Sequence, residues 1–417
     1  MIGDDFVDQL DRAARSPDWR STLICGDNGP KANLYNVLMA LRHCPDLKGT
    51  IRLNAFRLEI DVVAPLPWDD RIGREWSRHD DLHLTEWLQH HGIGVKVGDT
   101  ADGVEAVAAE SKYHPVRDWL EGLAWDGQPR VRTWLTYYLG VEDGDYSQAV
   151  GARWLISAVA RVMRPGCKAD HCLVLEGDQG RGKSSALRIL VGDDWFTDEL
   201  ADLGSKDAAM QTRGVWVVEL AELEHLSRGE VGRIKAFLTR TVDRYRPPYG
   251  RRLVMAPREC VFAGTVNDRQ YLKDETGNRR FWPVRVGQSI DLAALRHDRE
   301  QIWAEAVQLW RDGVRWWLEG RSLVELAREE QEGRASVDPW GDKVADHVAD
   351  KGEVTVASIL TEGVGKRLGE CTRADEMRIA KIMQQLGWRR GRQSQPPRRW
   401  CYLRTADAGP AETHDAP

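Results

Sequence analysis

The sequence predicts an α/β fold built on a parallel sheet, with a small mixed domain before it and a small helix-and-ribbon domain after it. Three observations predict this. Leu173–Leu175, Val215–Val218 and Cys260–Ala263 are short apolar runs that read as buried strands. Helical segments separate them, and that alternation is the pattern of a parallel sheet covered on both faces. A glycine-rich loop, Gly177 to Ser184, joins the first of these strands to a helix.

The elements follow in order. A chain of 417 residues exceeds the usual size of one domain, so two or three are expected. Residues 1–135 form the first, a mixed α/β or helical accessory domain. It holds helical stretches at Asn33–Leu41 and Leu82–His91 and a strand-like Phe56–Val63. Residues 136–332 form the second. Val150, Trp154, Ala158 and Val162 recur at spacing four, marking a helix that Pro165-Gly166 ends. Ser184–Val191 reads as the helix after the loop, and Ile302–Leu318 as a Trp-rich helix on the sheet. Residues 338–405 form the third. Val354–Leu360 and Arg373–Leu386 read as helices, and a basic ribbon, Trp388–Gly391 and Trp400–Leu403, follows. Helices closed by a terminal ribbon fit a winged helix. Residues 406–417 are polar and small and read as a disordered tail.

Composition bounds the function. Hydrophobic residues make up 42% and charged residues 30%, a globular balance able to fill a sizeable core. The net charge of −6 means any nucleic-acid surface must be local. The 18 tryptophans read as core anchors rather than a base-stacking array. Seven cysteines without repeating spacing argue against a disulfide framework. Cys167 and Cys172 flank His171, but the apolar strand beside them favours burial over zinc. No signal peptide and no run of about 18 apolar residues is present, so a cytoplasmic protein without a membrane span is expected.

Gly177-Asp178-Gln179-Gly180-Arg181-Gly182-Lys183-Ser184 satisfies the pattern G-x-x-x-x-G-K-[ST], and Ser185 continues it. The glycines let backbone N–H groups turn inward to cradle phosphate oxygens. The following helix presents its positive dipole end to the anion. Lys183 adds charge at the β- and γ-phosphates, and the Ser184 hydroxyl can ligate Mg²⁺. The expected ligands are therefore ATP and Mg²⁺. Gly363-Val364-Gly365-Lys366 looks similar, but Leu360 replaces the first glycine and Arg367 the hydroxyl, so it is rejected.

Such a loop needs an acid at the end of a neighbouring strand. Val215–Val218 runs into Glu219, with Glu222 just beyond; Glu219 is the expected metal ligand, and the plainer reading of the pair is a solvated helix start. Cys260–Ala263 leads to Asn267, placed as ring ATPases place the amide that orients the attacking water. Arg279 and Arg280 lie at a turn before an apolar strand. An arginine there can reach a neighbouring subunit's nucleotide, and the plainer reading is a surface pair.

These stretches together resemble the virulence-associated protein E family of phage and mobile-element proteins, related to superfamily 3 helicases. The matching residues are His114-Pro115-Val116-Arg117-Asp118-Trp119-Leu120, Trp125-Asp126-Gly127, Pro165-Gly166-Cys167-Lys168 and Leu175 to Ser184. Val218 to Leu223, Asp243 to Gly250, Gly264 to Asn267 and Gly277 to Pro283 complete the set. It covers residues 110 to 320. The resemblance implies an AAA+-like core, a homo-oligomeric ring (often six subunits) and movement along DNA. Lys183 and Ser184 would bind nucleotide and metal. Glu219 and Glu222 would serve metal and water, in an order left open. Asn267 would be the sensor, and Arg279 or Arg280 the trans arginine. Only about 110 residues precede the match, without a paired-Asp signature, so priming is not expected.

Two basic stretches are candidate DNA contacts. Lys235, Arg244, Arg246, Arg251 and Arg252 lie where superfamily 3 helicases place a pore hairpin, able to touch phosphates without reading sequence. Tyr245 and Tyr249 could stack on bases or pack the hairpin. Arg389, Arg390, Arg392, Arg398 and Arg399 line the C-terminal ribbon. The leading expectation is an ATP-dependent DNA helicase or translocase. The alternatives are a nucleotide-switched remodelling or defence ATPase that never separates strands, and an origin-binding protein whose ATP site only controls assembly.

Overall fold

The computed structural model describes residues 18–200, 206–223, 228–245, 253–267, 271–272, 278–334, 340–393 and 400–404. The chain divides into two compact units, Met1–Arg334 and Ala335–Pro417. The expected tail at 406–417 lies outside the described residues.

After a 3-10 turn at Trp19–Thr22 and a short ribbon pairing Cys25–Gly26 with Gly29–Pro30, the first unit continues with α1 (Leu34–His43), β1 (Ile51–Asn54), β2 (Glu59–Val62), β3 (Arg74–Glu75), α2 (Arg78–His90), α3 (Val97–Glu110) and β4 (Lys112–Tyr113). The sheet order is β3-β2-β1-β4, with β4 parallel to β1 and the other pairs antiparallel. The expected single strand Phe56–Val63 is instead a turn plus β2. Asn54 Oδ1 accepts from the backbone N–H of Phe56 and Arg57, both at 3.1 Å, and Leu58 takes φ 56°. A side chain that mimics a backbone turn reverses the chain without a glycine.

Next come α4 (Pro115–Gly122), α5 (Trp134–Leu139), α6 (Asp145–Met163), β5 (Cys172–Glu176), α7 (Lys183–Val191) and β6 (Phe196–Thr197). They are followed by α8 (Lys206–Gln211), β7 (Val217–Leu220), α9 (Arg228–Leu238), β8 (Val242–Tyr245), β9 (Val254–Pro257) and β10 (Val261–Val266). β11 (Phe281–Arg285), α10 (Leu292–Arg311) and α11 (Arg321–Glu332) finish the unit. Five strands form one parallel sheet in the order β11-β5-β10-β7-β6. This is an α/β fold.

Both faces of that sheet are buried, which is why its strands read as unbroken apolar runs. Leu173, Leu175, Val217 and Ala263 face a core shared with α6, α7 and α10. Cys172, Val174, Val218 and Phe262 face a second core with α9. Val116, Leu120 and Val131, on the N-terminal side of the expected boundary at 135, belong to the first core. Trp154, Trp216 and Trp303 are fully buried there, and each indole N–H finds a carbonyl at 2.7 to 2.9 Å. The expected helix Ile302–Leu318 begins ten residues earlier, capped by Asp291 on the Ala294 N–H, and stops at Arg311 before Gly313 (φ 81°).

The second unit packs α12 (Gly341–Val348), β12 (Glu353–Val354), α13 (Arg373–Gln385), β13 (Trp388–Arg392) and β14 (Trp400–Arg404). The strand order β12-β14-β13 is antiparallel throughout. The expected helix Val354–Leu360 splits. Val354 is in β12, Thr355 caps a short turn at Val356–Ser358, and Ile359–Gly363 continues as a π-helix. Val344, Ile359, Ile379, Met383 and Tyr402 form this unit's own core.

Candidate functional site

The site forms where β5, β10 and β7 end beside α7. Gly180 and Gly182 carry φ of 80° and 89°, a region that favours glycine, and this lets the loop turn into α7. A Cβ on Gly177 would lie 2.7 Å from Val286 Cγ2, so the first glycine permits close packing on the segment after β11. Asp178 pairs with Arg181, whose guanidinium holds its carboxyl below the usual range and also donates to the Gln288 carbonyl. Gln179, Gly180, Ser184 and Ser185 are exposed at the mouth.

Lys183 is 7% exposed and reaches back across the loop. Its ammonium donates to the Gly177 carbonyl, to the Asp178 carbonyl at 3.0 Å and to Asn267 Oδ1 at 3.2 Å. The predicted sensor amide therefore meets the predicted phosphate-binding lysine directly. Ser184 Oγ donates to Glu219 Oε1 at 2.7 Å. Glu219 lies within β7 rather than after it, because that strand starts at Val217, two residues later than expected.

Glu219 is 2% exposed, and Thr265 Oγ1 donates to the same Oε1 at 2.6 Å. Its other oxygen, Oε2, is buried with no hydrogen-bond partner among the described residues. A buried carboxylate oxygen left open beside a serine hydroxyl is the donor set a small hard cation takes, so Ser184 and Glu219 fit Mg²⁺. The sequence reading missed Thr265. Strand alternation could have found it: Val217 and Glu219, like Ala263 and Thr265, share the face that α7 covers.

Glu222 does not join this cluster of contacts. It is exposed on the turn after β7, with φ 54°. Arg279 and Arg280 occupy a short 3-10 turn before β11. Arg279 is exposed, whereas Arg280 Nε lies 3.7 Å from Asp170. Beside the loop, Gly140, Glu142, Arg285, Val286, Gly287 and Gln288 line a groove of about 310 Å³ that also touches Gly177, Asp178 and Arg181.

The candidate DNA residues divide. β8 and β9 form an antiparallel hairpin rooted by the buried Arg258–Asp243 pair, at 2.7 and 2.9 Å. Arg244 is exposed on it, and Tyr245 is 2% exposed, packed rather than open to bases. Lys235 requires correction. It sits on α9, not on the hairpin, is 6% exposed and donates to Asn278 Oδ1 at 3.0 Å, so it offers no phosphate-facing charge. Arg246, Tyr249, Arg251, Arg252, Arg398 and Arg399 lie outside the described residues. On the ribbon, Arg389, Arg390 and Arg392 are exposed. Arg390 and Arg392 stand 4.9 and 5.1 Å from the centre of the Trp400 ring.

The fold is thus a five-stranded parallel α/β sheet with a lysine, two hydroxyls, a buried acid and an amide gathered at one end. The family follows from the sequence: the virulence-associated protein E-like domain matches residues 120–336, and the chain belongs to that family. Among curated proteins, the clustered mitochondria protein of Arabidopsis thaliana is 28% identical over 139 residues. That match covers 30% of this chain and a tenth of that protein's length. Among solved structures, the apo structure of the NrS-1 C terminal region (305–718) gives a TM-score of 0.47 at 13% identity, covering 85% of this chain and 95% of that one. A second, A-form apo structure of the same region gives 0.46 at 12% identity, with 85% and 96% covered. No helix among the described residues is long and apolar enough to cross a membrane.

Proposed function

We propose that this chain is an ATP-dependent DNA helicase or translocase of phage or mobile-element replication type. In this reading an AAA+-like core hydrolyses ATP at the subunit interfaces of a ring, and a chain that stays monomeric at working concentration would contradict it. The observation that carries the reading is the convergence of Lys183, Ser184, Glu219 and Asn267 through direct hydrogen bonds. Lys183 and Ser184 open the helix that follows β5, Glu219 lies in β7 and Asn267 directly follows β10, so neighbouring strands of one sheet bring the four together.

Each group has a chemical task. The loop N–H groups and Lys183 bind the phosphates, with Lys183 leaving the carbonyls it now touches for the β- and γ-oxygens. Mg²⁺ held by Ser184 and Glu219 would neutralise charge on those oxygens. Asn267 orients the attacking water, and Glu222 is the acid free to accept its proton. Arg279, the exposed member of its pair, reaches the neighbouring subunit's γ-phosphate. Base and ribose lie in the 310 Å³ groove beside the loop, within the range of about 300–1,000 Å³ typical of small-ligand sites.

DNA contacts come from two places. Arg244 and its hairpin would track the backbone in the pore, and the second unit, read as a winged helix, would hold DNA with Arg389, Arg390 and Arg392. The test is ATP hydrolysis with and without single-stranded DNA, alongside a strand-displacement assay. Hydrolysis indifferent to DNA, or forks unwound by Lys183→Ala, would sink the reading. DNA-stimulated hydrolysis without strand separation would favour the remodelling ATPase instead.

A further inference from the structure

Glu176 ends β5 and directly precedes Gly177. Its side chain is 3% exposed and lies on the face opposite Glu219, beside Tyr271 and Phe281. Both of its carboxylate oxygens are taken. Arg334 approaches as a fork, Nε to Oε1 at 2.7 Å and Nη2 to Oε2 at 3.0 Å. The Tyr271 hydroxyl donates to Oε1 at 3.0 Å. Burial, then the Glu176 charge, pushes the Tyr271 phenol well above its usual range, so it stays a donor.

The partners come from distant parts of the chain that meet the site from behind. Tyr271 is four residues past Asn267, on the segment leaving β10. Leu272 N–H donates to the Arg334 carbonyl at 3.3 Å, so Arg334 holds that segment once directly and once through Glu176. Arg334 follows α11, where Glu330 accepts from its third nitrogen. From the same helix, Gln331 Nε2 donates to the Phe281 carbonyl at 2.9 Å, one residue after Arg280. One helix end therefore touches the glycine-loop strand, the Asn267 segment and the strand behind the arginine pair.

A buried acid–arginine pair is a poor source of net stability, because a packed apolar pair fills the same space without desolvation cost. What a forked pair does supply is fixed direction. We propose that Arg334 is a positioning residue for ATP hydrolysis: through Glu176 and Tyr271 it sets the spacing between the glycine-rich loop and Asn267. The inference rests on the nucleotide reading of that loop. Small errors in such spacing are costly, since a misplacement of about 1 Å can slow a reaction about 100-fold.

The experiment compares the full chain with Glu176→Leu/Arg334→Met and with Tyr271→Phe. The double variant removes both charges together, so a purely structural pair leaves the fold and turnover intact. The expected result is an unfolding temperature and ATP Kd close to the parent's, with kcat lowered at least about tenfold. Tyr271→Phe deletes one hydroxyl and should lower kcat about threefold at unchanged Kd. A double variant that turns over within about threefold of the parent overturns the proposal. If that variant does not fold, Tyr271→Phe decides, and an unchanged kcat overturns it. Parent hydrolysis that survives Lys183→Ala instead overturns the nucleotide reading, and this inference with it.

Discussion

Ser184 and Glu219 are joined by a 2.7 Å hydrogen bond across 35 residues of sequence, hydroxyl to buried carboxylate. The bond links the first turn of α7 to a strand two places away in the sheet, with β10 between. Thr265, on that intervening strand, donates to the same carboxylate oxygen and leaves the other one open. Glu219→Gln should therefore abolish Mg²⁺-dependent hydrolysis while the chain stays folded. Thr265→Val should raise the Mg²⁺ concentration for half-maximal activity about 10-fold or more, because groups that orient a metal ligand typically matter to that extent. A Mg²⁺ titration of hydrolysis reads both, and a Thr265→Val curve superimposed on the parent's would contradict the assignment.

Arg279 and Arg280 should separate on substitution. Arg280 is held by Asp170 within its own chain, so Arg280→Ala should act on stability, by about 1 kcal/mol. Arg279 is exposed, and Arg279→Ala should lower kcat by roughly 1,000-fold at little change in Kd, the scale of a trans arginine. Mixing Arg279→Ala with Lys183→Ala subunits checks the sharing. If sites span two subunits, some mixed interfaces carry both intact groups and activity returns. No recovery at any ratio counts against a shared site.

The C-terminal ribbon makes a prediction about salt. Each phosphate contact contributes about 0.9 to the slope of log affinity against log salt for duplex DNA, and about 0.7 for single strands. Arg390→Ala/Arg392→Ala should weaken DNA binding similarly across sequences and lower that slope by about 1.4 to 1.8. Fluorescence anisotropy at several salt concentrations measures it. An unchanged slope assigns the two arginines to the Trp400 ring they flank rather than to DNA.

The strands and the glycine loop were legible because both rest on local pattern. An unbroken apolar run means a strand buried twice, and Gly180 and Gly182 mark a turn that other residues resist. What stayed hidden depends on partners distant in sequence. Lys235 counts as basic in any census, yet α9 turns it inward onto Asn278, 43 residues on. Glu176 reads as one more acid beside a loop, and its fork with Arg334 spans 158 residues. The first half of α10 is masked in the sequence by the polar run Arg296 to Glu300, although Leu295, Ile302 and Trp303 carry a buried stripe past it.

His171 supplies a prediction about pH. It lies flat on Trp282, with 3.8 Å between ring centres and 9° between planes, and its Nε2 has no partner among the described residues. Burial, reinforced by the Arg161 charge, pushes its pKa down from 6.5 to about 3. The unfolded chain takes up this proton below about 6.5, whereas the folded chain does so only near 3. The stabilisation is thus complete above pH 6.5 and is lost as pH falls toward 3, at a limiting slope of about 1.4 kcal/mol per pH unit. His171→Phe keeps a flat ring on Trp282 and removes the titration. Its denaturation midpoint should fall less steeply between pH 6 and pH 4 than the parent's; parallel curves would show that the histidine is protonated without cost. His171 also adjoins the turn that carries the arginine pair, because Asp170, next in the chain, lies 3.7 Å from Arg280, and Trp282 lies two residues beyond that arginine.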